Sequence, residues 1–280
     1  MIKIQTRNPW LAQTQMIAVV ETHASLQISG LDAFPSRSYS FRTMCGRYDF
    51  FPGEFSDLRI RFNLDKDLPD FKPSYNIAPG KDVPVIIRQA DRNVVKLMRS
   101  GLVPSWSQDP SIGIQMINAR CETLDQKPSF KQLLGSRRCL VPADGFYERA
   151  RVGKGKIPMR VRMKDRQPFT MAGLWDVWRD PDGKELYTFT IITTDANKLL
   201  RPIHNRMPLI LDPLVARQWL DPTAIDPRML SIVMMPFPSE LMEAYEISRL
   251  VNDPKNDSLE CTAPTAPAVT EPPGPLFSRF

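Results

Sequence analysis

Histidine and cysteine are both scarce in this sequence, with two histidines and four cysteines among 280 residues. No two cysteines form a C-x-x-C pair. Structural zinc sites are built from closely spaced thiolate and imidazole ligands, and disulfide frameworks belong mainly to small, cysteine-rich secreted chains. The sequence therefore argues against a metal site and a disulfide framework. We expect no cofactor, and we expect a protein of the reducing cytoplasm.

A long apolar run is also missing, because no stretch approaches the roughly 20 residues that span a bilayer. The charges nearly balance, with 37 Lys and Arg against 31 Asp and Glu, a formal net charge of +6. This excess gives a mild preference for polyanions. A hydrophobic content of 42% and a charged content of 24% are typical of soluble globular chains. We expect a monomer that does not interact with membranes.

Composition divides the chain into three segments. Residues 1–44 have little folded character, because their one apolar patch, 16–20, is too short for a signal-peptide core. We predict an extension here, either upstream of a misplaced start or removed before the protein acts. Residues 45–260 are dense in structural patterns and predict one domain. Residues 261–280 contain five prolines and two charged side chains, a composition typical of a disordered tail.

Within the domain, short strand patterns outnumber helical ones. Strands 83–88 and 94–99 are predicted to form a hairpin, and Asp180-Pro181-Asp182-Gly183 is a strong turn signal between two others. Short helices are predicted at 195–200 and 213–220. There is no regular alternation of strands and helices. We therefore predict an α+β domain with a curled or barrel-like, mainly antiparallel sheet and a few short helices.

Cys45, in the run Met44-Cys45-Gly46-Arg47-Tyr48, offers a specific chemistry if it is the first residue of the chain. An α-amine has a pKa near 8, against about 10.4 for lysine, so a useful fraction is neutral near pH 7. Such an amine can condense with an aldehyde to a Schiff base, and the adjacent thiol can then close a five-membered thiazolidine. The ordinary alternative is a small, buried structural cysteine.

Several polar residues downstream could act with Cys45. Asn118, Arg120 and Glu122 alternate along the chain, so an extended backbone would place them on one face and turn Ala119 and Cys121 inward. Taken singly, such a segment is more often a half-buried strand with a solvated face.

Glu148 lies in an apolar strand pattern, where it either faces solvent or is buried and ready for proton transfer. His204 is the one histidine within the predicted domain, and a lone histidine is commonly structural. Trp106, among turn formers, is either a core residue or an exposed stacking platform.

The order of nine short words in the chain is more specific than any single residue. They are MCGRY, YNIAPG, GLVPSW, INARCET, CLVPADGFYE, MAGLWD, TFTIITTDAN, IHNRMPLIL and ISRLVND. Together they resemble the SOS response-associated peptidase family, the abasic-site-processing proteins, from Cys45 to about Leu259.

The resemblance implies a function and a set of catalytic residues. Family members lose the initiator Met, and the exposed cysteine crosslinks covalently to the ring-opened aldehyde of an abasic site in single-stranded DNA. That role would fall on Cys45. The family's active-site Asn, Glu and His match Asn118, Glu148 and His204. The family name also implies a peptidase activity, which here would cleave between Met44 and Cys45.

The resemblance also implies the DNA contacts. Arg47 and Arg120 would bind phosphates, and Trp106 would be the aromatic wedge. Asn76, grouped with these DNA-binding residues, would help to shape the pocket. The implied partner is single-stranded DNA that contains abasic sites.

Two substitutions depart from the family pattern. Arg149 follows the glutamate of the F-Y-E word where a Trp is usual, and Ser100 replaces a Trp before G-L-V-P. Fewer aromatic side chains are therefore available for base stacking, although Arg149 could stack or bind phosphate.

Two other functions remain open on sequence grounds. One is an amidohydrolase with an N-terminal cysteine nucleophile, since glutamine amidotransferases also open with M-C-G. The other is a non-covalent reader of single-stranded or modified DNA, in which Cys45 is only structural.

Overall fold

The structure, a computed structural model, describes residues 46–51, 55–64, 70–153, 155–221, 223 and 233–265. Its strands are β1 (Arg47–Phe50), β2 (Ser74–Ile77), β3 (Asp82–Gln89), β4 (Arg92–Ser100), β5 (Asn118–Arg120), β6 (Arg138–Ala143), β7 (Gly145–Val152), β8 (Gly155–Met163), β9 (Phe169–Arg179), β10 (Glu185–Asp195), β11 (Arg206–Pro208), β12 (Ile210–Leu211) and β13 (Met242–Glu246). The α-helices are α1 (Phe55–Phe62), α2 (Pro128–Ser136) and α3 (Pro213–Leu220). Short 3₁₀ segments are Pro110–Gln115, Cys121–Thr123, Ser239–Leu241, Arg249–Asn252 and Leu259–Thr262.

Five strands close into a barrel. Going around it, β10 pairs with β4, β4 with β3, β3 with β6, β6 with β9, and β9 again with β10. All of these pairings are antiparallel except β10 with β4. Closure removes the unpaired edges that an open sheet would expose. The short strands β11 and β12 extend the barrel sheet, and β5 adds to β10.

A second, five-stranded antiparallel sheet packs against the barrel in the order β13-β8-β7-β1-β2. Its inward side chains, such as Tyr48 and Phe146, share one hydrophobic core with barrel residues such as Ile191 and Met207. A single core with few short helices confirms the predicted α+β, barrel-like, mainly antiparallel domain. The predicted helix 213–220 is confirmed as α3, which Asp212 caps by accepting from the Leu214 N–H.

The predicted helix 195–200 is wrong. Strand β10 continues through Asp195, and turns occupy 198–203. The extended chain satisfies its backbone by pairing Asp195 with Arg206 of β11, which an isolated short helix could not match.

The outer face of the second sheet is covered by the end of the described chain. Tyr147, Tyr245, Ile247, Val251 and Cys261 form a separate buried cluster there. Cys261 has no exposed surface, and the chain runs on to a bridge between Ile247 and Pro264.

The prediction that disorder begins at residue 261 is therefore corrected, because 261–265 are ordered against this sheet. The rest of the predicted tail and the predicted extension, with Met44 and Cys45, lie outside the described residues. Among the helices that the structure describes, none is long and apolar enough to cross a membrane.

A buried ion pair joins β1 and β8, the strands on either side of β7 in this sheet. Arg160 donates to both carboxylate oxygens of Asp49, at 2.8 and 2.6 Å, and to the hydroxyl of Tyr245 at 2.6 Å. The two charged side chains are 4% and 0% exposed. Removing one partner from such a pair leaves an uncompensated buried charge.

Asp49→Asn should therefore lower the free energy of unfolding by about 3–5 kcal/mol, measured by urea denaturation. The matched control is Asp82→Asn, which breaks the exposed pair with Arg99 and should cost less than about 1 kcal/mol. Equal, small losses in the two variants would contradict a structural role for the buried pair.

Candidate active site

The residue after Cys45 lies against the strand that carries Asn118. Gly46 has a φ of +59°, and a Cβ added to it would stand 2.7 Å from Ile117 Cγ2 and 3.7 Å from Asn118 Nδ2. Both the backbone conformation and the close approach require glycine. The sequence word M-C-G therefore places the backbone next to Cys45 directly beside the Asn118 amide.

Asn118 begins β5, which runs parallel to β10. Its Nδ2 and Oδ1 are both buried, and neither has a hydrogen-bond partner among the described residues. Unsatisfied buried amides are costly, which makes this one a group that can bind a substrate polar atom or the chain's first residue. A cavity of about 10 Å³, about one water in size, lies between Gly46, Asn118, Phe146 and Pro208.

Glu148 reaches the same region from the second sheet. Strand β1 pairs with β7 so that Arg47 is opposite Tyr147 and Tyr48 is opposite Phe146. Continued by one residue, this register sets Glu148 beside Gly46. Glu148 shares the inward face of β7 with Phe146 and is 3% exposed. Of the two positions predicted for Glu148, solvent-facing or buried, the structure has the buried one.

His204 lies on the loop that leads into β11, four residues before Pro208 of the cavity wall. Its Nδ1 accepts the Arg206 backbone N–H at 3.1 Å. While Nδ1 accepts this bond it carries no proton, and the neutral ring then has its proton on Nε2. In the other tautomer Nδ1 would donate to the Arg206 carbonyl oxygen, which lies 3.3 Å away. Nε2 is buried and has no hydrogen-bond partner in the described part of the chain. Burial also lowers the pKa of His204, which favours the neutral ring at pH 7.

Arg206 fastens the His204 loop to the end of β5. Its guanidinium donates to both oxygens of Glu122, at 2.6 and 2.9 Å, and also to Asp195 Oδ1 and the Thr193 carbonyl. Burial raises the pKa of Glu122, but the hydrogen bonds and charge of Arg206 outweigh it and hold that pKa below its ordinary value. The ion pair of Arg206 with Glu122, called the clamp below, was not predicted from the sequence, although the Arg of the H-N-R-M-P word was a visible signal of it.

The clamp corrects one detail of the predicted alternation. Asn118 and Arg120 do share a face, with Ala119 buried between them. Glu122 does not continue that face, because the chain turns into the 3₁₀ segment Cys121–Thr123 and directs Glu122 to Arg206.

Asn76 is fully buried and holds the loop 251–256. Its Nδ2 donates to the carbonyls of Val251, Asp253 and Asn256 at 3.1, 3.0 and 2.8 Å. A side chain with no exposed surface cannot contact a nucleic acid directly. Asn76 therefore shapes the region from beneath.

Arg47 contacts the same loop. Its guanidinium donates to the Val251 carbonyl, to the Asn252 carbonyl at 3.0 Å, and to Asn76 Oδ1 at 3.5 Å. These bonds occupy part of its donor capacity, and its predicted phosphate contact stays a prediction. Arg120 is exposed at the end of β5, on the same face as Asn118.

Trp106 stands on a turn that is fixed from both sides. The Ser105 N–H donates to Asp176 Oδ2 at 2.8 Å, and Trp178 Nε1 donates to the Ser107 carbonyl at 2.7 Å. Trp106 itself is 62% exposed. Of the two positions predicted for it, the core is therefore excluded, and the ring is available for stacking.

The site predicted from sequence thus converges in part. Gly46 packs against Asn118, and the register of β1 with β7 places Glu148 next to Gly46. Pro208, four residues after His204, lines the same cavity as Gly46 and Asn118. Asn76 and Arg47 donate hydrogen bonds to backbone carbonyls of the loop 251–256. Cys45 lies outside the described residues.

The chain is similar in sequence and in structure to known proteins. Residues 44–254 match the family described as SOS response associated peptidase. The abasic site processing protein YoqW of Bacillus subtilis is 47% identical over 220 residues, 78% of this chain and 98% of that protein. The abasic site processing protein HMCES of Xenopus tropicalis is 34% identical over 245 residues, 76% of this chain and 72% of that protein. A solved structure from Bacteroides thetaiotaomicron has a TM-score of 0.65 at 31% identity, covering 71% of this chain and 92% of its own.

Proposed function

The chain belongs to the SOS response-associated peptidase family, and from this membership we propose that it processes abasic sites by forming a covalent link to single-stranded DNA through Cys45. The relatives named as abasic site processing proteins support the substrate class. The observation that carries the proposal is the unsatisfied, buried Asn118 amide against Gly46, the residue bonded to Cys45. An enclosed amide at that point can hold the polar groups of a sugar or of a chain terminus.

The proposed reaction needs a free α-amine on Cys45, so the mature protein begins there. The amine attacks the C1′ aldehyde of the ring-opened abasic sugar, and loss of one water leaves an imine. The Cys45 thiol then adds across the C=N bond and closes a thiazolidine. In this scheme the Glu148 carboxylate receives the proton that the amine releases.

His204 is assigned to opening the sugar ring. The closed hemiacetal opens when its C1′ hydroxyl loses a proton while the ring oxygen gains one. The neutral Nε2–H can donate a hydrogen bond to the ring oxygen and stabilise the negative charge that develops there, as neutral histidines do for substrate oxygens in other enzymes. The proton lost by the C1′ hydroxyl passes to solvent, and solvent returns one to the ring oxygen, so the histidine stays neutral. The Arg206 N–H bond to Nδ1 supports this assignment, because the tautomer that accepts this bond has its proton on Nε2.

Selectivity for the abasic site follows from what that nucleotide lacks. Removing a base from its stack normally costs a few kcal/mol, and an abasic nucleotide has no base to remove. Phosphate contacts then supply most of the affinity for the remaining backbone.

The function is tested with wild-type protein and two single-stranded oligonucleotides. One contains a natural abasic site with its latent aldehyde, and the other a tetrahydrofuran analogue that cannot open. We expect a heat-stable adduct with the first only. Binding of both without any adduct would overturn the covalent function in favour of a non-covalent reader. Release of ammonia from glutamine, again without an adduct, would favour the amidohydrolase.

Arg120 should contribute one phosphate contact. Arg120→Ala is expected to make the dependence of log affinity on log salt concentration shallower by about 0.7 for the single-stranded tetrahydrofuran oligonucleotide. Fluorescence anisotropy between 50 and 200 mM KCl measures the slope. Lys131→Ala, an exposed residue on α2, is the control and should leave the slope unchanged. An unchanged slope in Arg120→Ala would remove Arg120 from the DNA interface.

A further inference from the structure

Among the residues that the structure describes, the hairpin of β7 and β8 carries three exposed basic side chains beyond Glu148. These are Arg149, Arg151 and Lys156, which we call the basic hairpin. The register places Arg151 directly opposite Lys156. Like charges at directly opposed positions of an antiparallel pair destabilise the sheet.

Among the described residues, no acidic side chain pairs with these cations to relieve the repulsion. In the described part of the chain, none of the three basic residues forms an ion pair or a side-chain hydrogen bond. Two basic residues elsewhere show what such pairing looks like: Lys81 pairs with Asp257 at 2.7 Å, and Arg179 pairs with Glu185 at 2.6 Å. The basic hairpin is therefore a local concentration of positive charge that a bound anion would stabilise.

The position of the hairpin relates this charge to the active site. Arg149 directly follows Glu148, and β7 alternates, so Glu148 faces the core while Arg149 and Arg151 face out. Successive outward residues are roughly 6.6 Å apart, and Arg151 lies roughly 10 Å along the strand from Glu148. The basic side chains therefore form a row on the outward face of β7, opposite to the face that carries Glu148, and the row leads away from the site.

We propose that the basic hairpin binds the sugar-phosphate backbone of the DNA strand on one side of the abasic nucleotide. This proposal rests on the proposed function, because the row begins at the residue next to Glu148. A flexible polyanion that enters the site would pass along the row. Its phosphates would lie between the positive charges of Arg151 and Lys156 and reduce their repulsion. The positive charge would also attract an acidic protein segment. The position of the row beside Glu148, however, favours the DNA strand that enters the site.

The informative variant is Arg151→Glu. It removes one cation and gives Lys156 an opposite charge across the strands, so the hairpin should be as stable as in the wild type or more so. The variant should lose the phosphate contacts of both Arg151 and Lys156. The dependence of log affinity on log salt concentration should then be shallower by about 1.4. Between 50 and 200 mM KCl, the wild-type affinity should therefore fall about sevenfold more than that of the variant.

The experiment measures affinity for tetrahydrofuran oligonucleotides with 1, 3, 6 or 10 nucleotides on either side of the analogue. The wild-type affinity should increase with flank length on one side, and the deficit of Arg151→Glu should increase with the same flank. Lys131→Glu, which makes an equal change in net charge on α2, should match the wild type. Melting temperatures accompany each variant, and Arg151→Gln provides a second test without charge reversal.

A deficit that does not vary with flank length, or one that Lys131→Glu reproduces, would overturn the proposal. So would a lower melting temperature in both Arg151 variants with no change in salt slope. Binding of a polyglutamate peptide that depends on Arg151, with DNA binding unaffected, would assign the hairpin to an acidic protein partner instead. Failure of the wild type to form an adduct with an aldehyde-bearing oligonucleotide would overturn the proposed function, whatever the flank series shows.

Discussion

Cys45→Ser protein should bind abasic single-stranded DNA as tightly as the wild type but form no heat-stable adduct. Serine keeps the α-amine, so the imine still forms, but imines hydrolyse on denaturation unless a second nucleophile closes the ring. The thiol supplies that nucleophile through its thiolate, and a hydroxyl does not ionise near neutral pH. Denaturing gels of the natural abasic oligonucleotide measure the loss.

Two controls make this result specific. Borohydride reduces an imine to a stable amine, so its addition should restore a crosslink in Cys45→Ser, whereas an acetylated N-terminus should abolish it. Cys121→Ser removes a half-buried thiol whose pKa burial raises to about 11, with a further contribution from the adjacent Glu122. That thiol is protonated at pH 7, so its loss should leave the adduct yield unchanged. Wild-type yield in Cys45→Ser would refute the nucleophile.

His204→Ala and Glu148→Gln should both slow crosslinking, but at different steps. Loss of the carboxylate that accepts the amine proton is expected to cost about 10²–10⁴-fold in imine formation, most severely below pH 7, where the amine is mainly charged. Loss of a preorganised hydrogen-bond donor is expected to cost about 10²–10³-fold in opening the sugar ring. Closure of the released sugar ring should be slowed as well in His204→Ala, because opening and closing share one transition state.

A substrate with an acyclic aldehyde separates the two roles. It needs no ring opening, so it should rescue His204→Ala and leave Glu148→Gln slow. Equal rescue of both variants, or of neither, would mean that the roles are wrongly divided. Single-turnover rates on the closed and the acyclic substrate provide the comparison.

Lowering the pH should reduce the contribution of His204 to the stability of the folded protein. Burial lowers the folded-state pKa of His204 below the ordinary value of about 6.5. Its contribution to stability is therefore fully present above pH 6.5 and is lost as the pH falls through the folded pKa. Protonation of Nδ1 also breaks the bond from the Arg206 N–H. As the pH falls, the His204 loop should therefore loosen before the ion pair between Glu122 and Arg206 is disturbed. The ion pair survives to lower pH because Arg206 holds the pKa of the Glu122 carboxyl below its ordinary value.

The fold could be predicted where local patterns decide it. Hairpins and the helix at 213–220 follow from turn residues and apolar spacing. The closure of the barrel could not be predicted, because it depends on the parallel pairing of Thr188 and Phe189 with Arg99 and Ser100, about 90 residues earlier in the chain. The ordered segment 261–265 was missed because proline content predicts disorder, whereas Cys261 is held by packing against Tyr147 and Tyr245.

The site was predictable at the level of residue type and face. Alternation correctly placed Asn118 and Arg120 together, since β5 is a genuine strand. It failed at Glu122, because the ion pair with Arg206 arises only in the tertiary structure. Asn76 lies in a turn-like word, and sequence alone does not distinguish a side chain that meets a ligand from one that holds three carbonyls beneath the surface.

The most direct test of the central claim is the mass of the crosslinked peptide. Wild-type adduct, digested first with nuclease and then with trypsin, should give the tripeptide 45–47 without Met44, carrying the abasic nucleotide less one water and resistant to amine-reactive and thiol-reactive reagents. This result requires both the amine and the thiol of Cys45 in the link. An adduct on a lysine, on another cysteine, or on a chain that retains Met44 would contradict the account.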